Sequence, residues 1–280
     1  MSQPQQDIRP SPITGMWYPG NAANLRAELD RFLQKANPLT RTGDVLGLLT
    51  PHAGLRYSGG VAAYAFKQIA DQPIDTVVVI GPLHRPIPGI TSAVVSTAHT
   101  AYETPLGKVP VDRDILDHLA ARLSLSCCRC DPEHSIEIEL PFLQVVLPAG
   151  FTLIPLMLRD QSAEGSRALG VALIEVLKDR HVLFVASSDL SHFYPQDVAA
   201  TLDHKMLEAV AQMDAERVIQ LDERGEGFAC GRGAIAATIH AVRALGATRA
   251  EVLHHATSGT VSGDFARVVG YGAASFTRTQ

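Results

Sequence analysis

The first regular pattern along the chain is helical. Leu25, Leu29, Phe32 and Leu33 recur at three- and four-residue spacing within 22–36, and Asn21 is placed to cap the N-terminus. A continuous apolar run at 45–50 reads as a buried strand. It is followed by the Gly-rich turn PHAGLRYSGG and a small-residue helix over 61–70. Apolar runs at 76–81, 152–158 and 181–187 predict further strands, with a weaker one at 90–96 and two more, 250–256 and 267–276, closing the chain. Helical patterns occupy 113–122, 163–178, 197–213 and 231–245. The stretch HSIEIELPFLQVVL is also helical in period, with Pro141 starting a helix or kinking one. Residues 127–132 show no clear period. The strands are continuous apolar runs alternating with helices, which predicts an α/β fold around a largely parallel sheet covered on both faces. Residues 1–12 are polar and Pro-rich and are expected to form a loose N-terminal arm, with 13–280 as a single domain.

Composition narrows the class. The chain has 280 residues, 46% hydrophobic and 19% charged, which excludes disorder over most of its length. Lys plus Arg is 24 against 29 Asp plus Glu, a net charge of −5, so an extended nucleic-acid footprint is not expected. Four cysteines are too few for a disulfide framework. The N-terminus has no apolar core of a secretory signal, and no apolar run approaches a membrane span. The expectation is a soluble protein of the reducing cytoplasm, with no membrane partner.

In open α/β sheets, ligands sit beyond the carboxyl ends of the strands. Three strands each deliver a histidine there: His52 after 45–50, His84 after 76–81 and His192 after 181–187. Taken singly, each also reads as a hydrogen-bonded loop residue; taken together, His52 and His84 point to a ligand site. Cys230 precedes a helix beginning near Gly231 or Arg232, where the helix dipole and Arg232 would favour its thiolate. The alternative is a small buried hydrophobe at a tight helix entry. Two imidazoles and a thiolate make three protein ligands and suit zinc, copper or iron, not magnesium or calcium. In EHSIE, Glu133 or Ser135 could satisfy N–H groups at a helix start, or His134 could enter the pocket as an acid or base. Asp189 and His192 could pair, with Asp189 orienting a proton-shuttling imidazole. No GxGxxG, Walker A or GxSxG pattern is present. Cys127, Cys128 and Cys130 read as a variable loop, and His254–His255 as structural, one pointing to each face of a strand.

Several blocks in order then carry a resemblance. They are GMWYPGNAANLRAEL, PHAGLRYSGGVAAYAFK, VVVIGPLHR, TPLG, EHSIEIELPFLQ, FTLIPLML, SSDLSHF and CGRGAI. Together the chain resembles the Memo family, also called AmmeMemoRadiSam system protein B, over about residues 10–276. That family is similar in fold to the class III extradiol dioxygenases. The resemblance therefore implies a three-layer α/β/α sandwich with a largely parallel or mixed sheet. It implies His52, His84 and Cys230 as metal ligands, a thiolate replacing the dioxygenase carboxylate. It also implies His192 and His134 as groups lining the pocket for acid–base work. Iron(II) is the expected cofactor, with copper or zinc as alternatives, because a thiolate donates more charge than a carboxylate and is itself oxidisable.

The expected activity is that of a non-haem metal oxidoreductase acting on a small phenolic molecule. Two alternatives stand beside it. One is a non-catalytic binding or redox-scaffold protein engaging the radical-SAM and AMMECR-type partners that the family name implies. The other makes Cys230 a nucleophile with His192 or His134 as its base.

Overall fold

A computed structural model describes residues 7–36, 43–70, 72–147, 150–177 and 180–279. Its strands are β1 (Asp44–Thr50), β2 (Thr76–Pro82), β3 (Val94–Thr97), β4 (Ala101–Thr104), β5 (Gly107–Pro110), β6 (Leu125–Cys128), β7 (Thr152–Leu158), β8 (Val182–Ser187), β9 (His192–Tyr194), β10 (Arg249–Thr257) and β11 (Val268–Arg278). Its helices are α1 (Ala22–Lys35), α2 (Leu55–Phe66), α3 (Arg113–Ala120), α4 (Leu140–Val146), α5 (Ala163–Leu177), α6 (Gln196–Ala211), α7 (Ala215–Glu223), α8 (Arg232–Ala244) and the short α9 (Gly259–Ser262).

The fold is mixed α/β around a nine-stranded sheet of order β10-β11-β1-β8-β2-β7-β3-β6, with β9 joined to β11. The central strands β1, β8, β2 and β7 run parallel, while β11 and β10 on one side, and β3 against β7 on the other, add antiparallel pairs. Every residue of β2 and β8 is buried, because helices flank both faces. On one face α2 packs with α1 and α4; on the other lie α5, α6, α7 and α8. His254 and His255 mark the two faces. His254 stacks on Tyr64 of α2, and His255 bonds Asp203 of α6, as alternation along a strand requires. Among the described residues, no helix is long and apolar enough to cross a membrane.

Several elements differ from the sequence pattern. Helix α2 begins at Leu55 and includes Gly59, whose absent side chain leaves room for the Phe32 ring: a Cβ there would lie 2.7 Å from it. Close packing of α1 on α2 outweighs the helix penalty of glycine. Pro141 starts a helix, standing in the first turn of α4 where its missing N–H costs nothing. The β4–β5 hairpin, β6 and α7 are further elements the periodicity does not announce. Cys127 and Cys128 thus end a sheet strand, all four cysteines being free thiols.

Of the expected arm, 1–6 lie outside the described residues, and the rest is firmly attached. Ile8 bridges Ala101, and the Arg9 side chain is 2% exposed. Arg9 pairs with Asp131, bonds Glu137 Oε2 at 2.7 Å and donates to the Glu133 carbonyl at 2.6 Å. Burying a guanidinium requires such answering charges.

Candidate metal centre

The parallel register places Thr50 of β1 beside Ser187 of β8, and β2 beside β8, so the loops after these strands meet. There His52, His84 and His134 each offer a ring nitrogen, all within 4.8 Å of one another. His84 and His134 stack at 4.7 Å between ring centroids, and His52 stands edge-on to both at 5.1 and 5.3 Å. Trp17 caps the stack at 4.3 Å from His134. Gly81 permits this meeting, since a Cβ on it would lie 2.5 Å from the Ser135 hydroxyl.

Hydrogen bonds select the ring tautomers. Ser187 Oγ donates its only proton to the Ser135 carbonyl at 2.6 Å, so it accepts from His52 Nδ1 at 2.9 Å. The Nε2 lone pair of His52 then faces Cys230 Sγ at 3.1 Å. Glu133 Oε1 accepts from His84 Nδ1 at 3.0 Å, which turns Nε2 of that ring away from the carboxylate. The same carboxylate accepts from the backbone N–H groups of His84, His134 and Ser135 at 2.7, 2.9 and 3.0 Å. A carboxylate or hydroxyl that fixes a histidine in this way is the usual outer partner of a metal ligand.

The electrostatics favour neutral rings at His52 and His134. Burial, then the neighbouring His134 and His84, hold His52 well below its ordinary value. Burial lowers His134 to about 4, despite the opposing charge of Glu133. Burial alone would raise Glu133, but the hydrogen bond and charge of His84 outweigh it and hold the carboxyl far below its usual range. Imidazole nitrogens converging in this way are a set of donors suited to a cation of intermediate softness.

Cys230 sits against His52, and Gly231 makes that possible, because a Cβ there would lie 2.6 Å from the Ser187 carbonyl. The expected stabilisation of its thiolate does not occur. Burial, and then the negative Asp189, push the thiol above its ordinary range. Arg232 is turned away to Asp222 at 3.0 Å. The same burial weighs against Cys230 as a free nucleophile, since thiol reactivity follows the thiolate.

The expected pair of Asp189 with His192 does not form. Asp189 Oδ1 instead accepts from the His52 backbone N–H at 2.8 Å, and its carboxyl also takes the N–H of Ala53. Burial raises this acid to about 7, opposed by those two bonds. His192 Nδ1 donates to the Leu190 carbonyl at 2.7 Å, which frees its Nε2. Asp189 therefore shapes the loop carrying His52, and His192 is oriented by backbone. Burial lowers His192 as well, so its imidazole is neutral near pH 7.

Sequence reading brought the three strand-end histidines, His134 and Cys230 to one place. It offered Glu133 or Ser135 for N–H groups at a helix start. Glu133 accepts from the His134 and Ser135 N–H groups, ahead of the 3₁₀ turn. It also holds His84 forty-nine residues away, which the sequence did not suggest. Ser187 and Glu139 carried no signal beyond a hydroxyl ending an apolar strand and an acid inside an apolar run.

Residues 9–275 match the family model described as Memo-like protein. The chain is 37% identical to a MEMO1 family protein of Methanopyrus kandleri, covering 95% of this chain and 98% of the relative. It is 33% identical to a MEMO1 family protein of Nitrosopumilus maritimus, covering 96% and 99%. A MEMO1 family protein of Caldivirga maquilingensis is 37% identical over 83% of each chain.

Proposed function

The chain belongs to the Memo-like protein family, and on that premise we propose that it is a metal-dependent oxidoreductase with a three-layer sandwich fold of extradiol dioxygenase type. Iron, or else copper or zinc, would be held by His52, His84 and Cys230, with His134 alongside. The substrate is a small phenolic molecule entering at the strand ends. The observation that carries this reading is the convergence of three imidazoles within 4.8 Å, two of them held at Nδ1 by Ser187 and Glu133. When bound, iron or copper would supply Lewis acidity and one-electron exchange with oxygen and a reducing substrate.

The chain's own groups do the rest. His192, neutral and with Nε2 free, accepts or returns the phenolic proton. Trp17 offers an indole face beside His134 for a planar ring. Cys230 gives up its proton on ligating, so uptake of metal strengthens as pH rises. A reducing cytoplasm keeps that sulfur a thiol before the metal arrives.

The test is metal content and oxygen uptake together. Wild type reconstituted with iron should hold near-stoichiometric metal and consume oxygen with catechols, whereas His52→Ala should do neither. Full metal content in His52→Ala would overturn the ligand set.

A second reading, a binding scaffold for radical-SAM and AMMECR-type partners, is favoured by the rim. Met16 beside Trp17 and Phe193 beside His192 are 74% and 61% exposed. Phe193 also holds a left-handed backbone, φ 65°. Metal retention without oxygen uptake, together with co-purification of those partners, would select this reading.

A further inference from the structure

Glu139 closes the 3₁₀ turn Glu137–Glu139 that leads into α4, and it is 1% exposed. Its neighbour Glu137 has Arg9 and the Tyr18 hydroxyl as partners, but among the described residues Glu139 forms no ion pair. The hydroxyls of Thr50 on β1 and Ser187 on β8 lie against its carboxyl. The charged group facing it is Asp189, from the loop after β8 and of the same sign. Beyond Ser187 stands the His52 ring. A carboxylate in such surroundings is costly, and burial, reinforced by Asp189 and opposed by the two hydroxyls, pushes the acid up to about 8.

Proton counting at Ser187 leads to the same state. Its single proton goes to the Ser135 carbonyl, which can only accept. His52 Nδ1 donates to Ser187 Oγ, so the hydroxyl has no proton left to give a Glu139 carboxylate. Oγ1 of Thr50 and Oε1 of Glu139 are both buried without a hydrogen-bond partner, so nothing among the described residues answers a charge on this acid.

We propose that Glu139 is a proton store coupled to the metal centre: a neutral acid in the metal-free protein, it ionises when a divalent cation binds on the far side of His52. The proposal rests on the metal-site reading above. The O–H bond of the acid breaks, the proton passes to the buffer, and the new carboxylate takes the Ser187 proton as its hydrogen bond. The negative charge then answers the cation through Ser187 and His52, as a direct carboxylate–histidine pair would. No redox change is involved.

The test uses zinc alone, as a redox-silent probe, with the full-length protein at pH 7. Proton release is counted by calorimetry in buffers of different ionisation enthalpy. Glu139→Gln should release about one proton fewer than wild type, so its affinity should rise about tenfold less per pH unit. Infrared difference spectra of wild type with carboxyl-labelled glutamate need no variant. They should show a protonated-acid carbonyl band in the metal-free protein that disappears on adding zinc. Equal proton release in both proteins, or a band that is absent at first or persists after binding, would overturn the proposal while leaving the metal site standing. Failure of zinc to bind wild type would instead overturn the metal-site reading, and this proposal with it.

Discussion

The two sides of the centre hold their imidazoles by different chemistry. His84 and His134 lie against Glu133, an ionised carboxylate whose backbone carbonyl is gripped by Arg9, itself paired with Asp131 and Glu137. His52 is held by a serine hydroxyl, with a neutral acid behind it and no cation in contact. The His84 side chain is 31% exposed, whereas His52 is buried at 1%. The comparison teaches where this fold accepts charge. It does so on the side where a buried arginine and partial solvation answer it, and at the floor it replaces charge with hydroxyls.

The strongest way to break that contrast is to remove the arginine. Arg9→Met leaves Asp131 and Glu137 buried without a cation and should cost about 3–5 kcal/mol in denaturant melts. A loss below about 1 kcal/mol would show that the charged side does not depend on its cation.

A pH series comes next. His134 has a folded value of about 4 against 6.5 when free. Between these values the unfolded chain binds the extra proton, so this group makes stability fall as pH drops from about 6.5 to about 4. Asp189 and Glu139, raised in the fold, act in the opposite sense over part of that window, so the informative quantity is a difference. Subtracting the melts of His134→Gln from those of wild type should give a contribution of at most about 3 kcal/mol, lost on acidification. A difference that does not vary with pH would mean that His134 is not held neutral.

Metal affinity then separates the two outer partners. Glu133→Gln keeps the shape but loses the charge and part of the acceptor capacity, and should weaken zinc binding by about 10–100-fold in a competition titration. Ser187→Ala should weaken it less. The reverse order would invert the comparison. The smallest effect is expected from Thr50→Val. It removes a buried hydroxyl without a hydrogen-bond partner, and stability should change by no more than about 1 kcal/mol.

These residues also show what the chain made legible. The strand-end histidines could be read because continuous apolar runs locate buried strands, and the residues just after them must share one edge. His134 and Cys230 follow no strand: local pattern offered Cys230 only as a residue ahead of a helix and His134 only as one reading of EHSIE, and the family blocks tied both to the site. Glu133 on His84, Arg9 on Asp131 and Ser187 on His52 are contacts between segments 49, 122 and 135 residues apart, and no local period encodes them. Arg9 is the sharpest case: a polar, Pro-rich opening looks solvated until its partners on the 131–137 segment are seen. The Asp189–His192 pairing followed from proximity in sequence. The bend after β8 instead turns the acid toward the His52 backbone and His192 toward the Leu190 carbonyl.

The central claim is that His52, His84 and Cys230, with His134 beside them, form a metal site. The most direct measurement is elemental analysis of protein purified without oxygen, wild type and Cys230→Ser side by side. The account predicts near-stoichiometric iron or copper in wild type and a sharp loss in the variant. No metal in either protein, even after reconstitution, or equal metal in both, would contradict it.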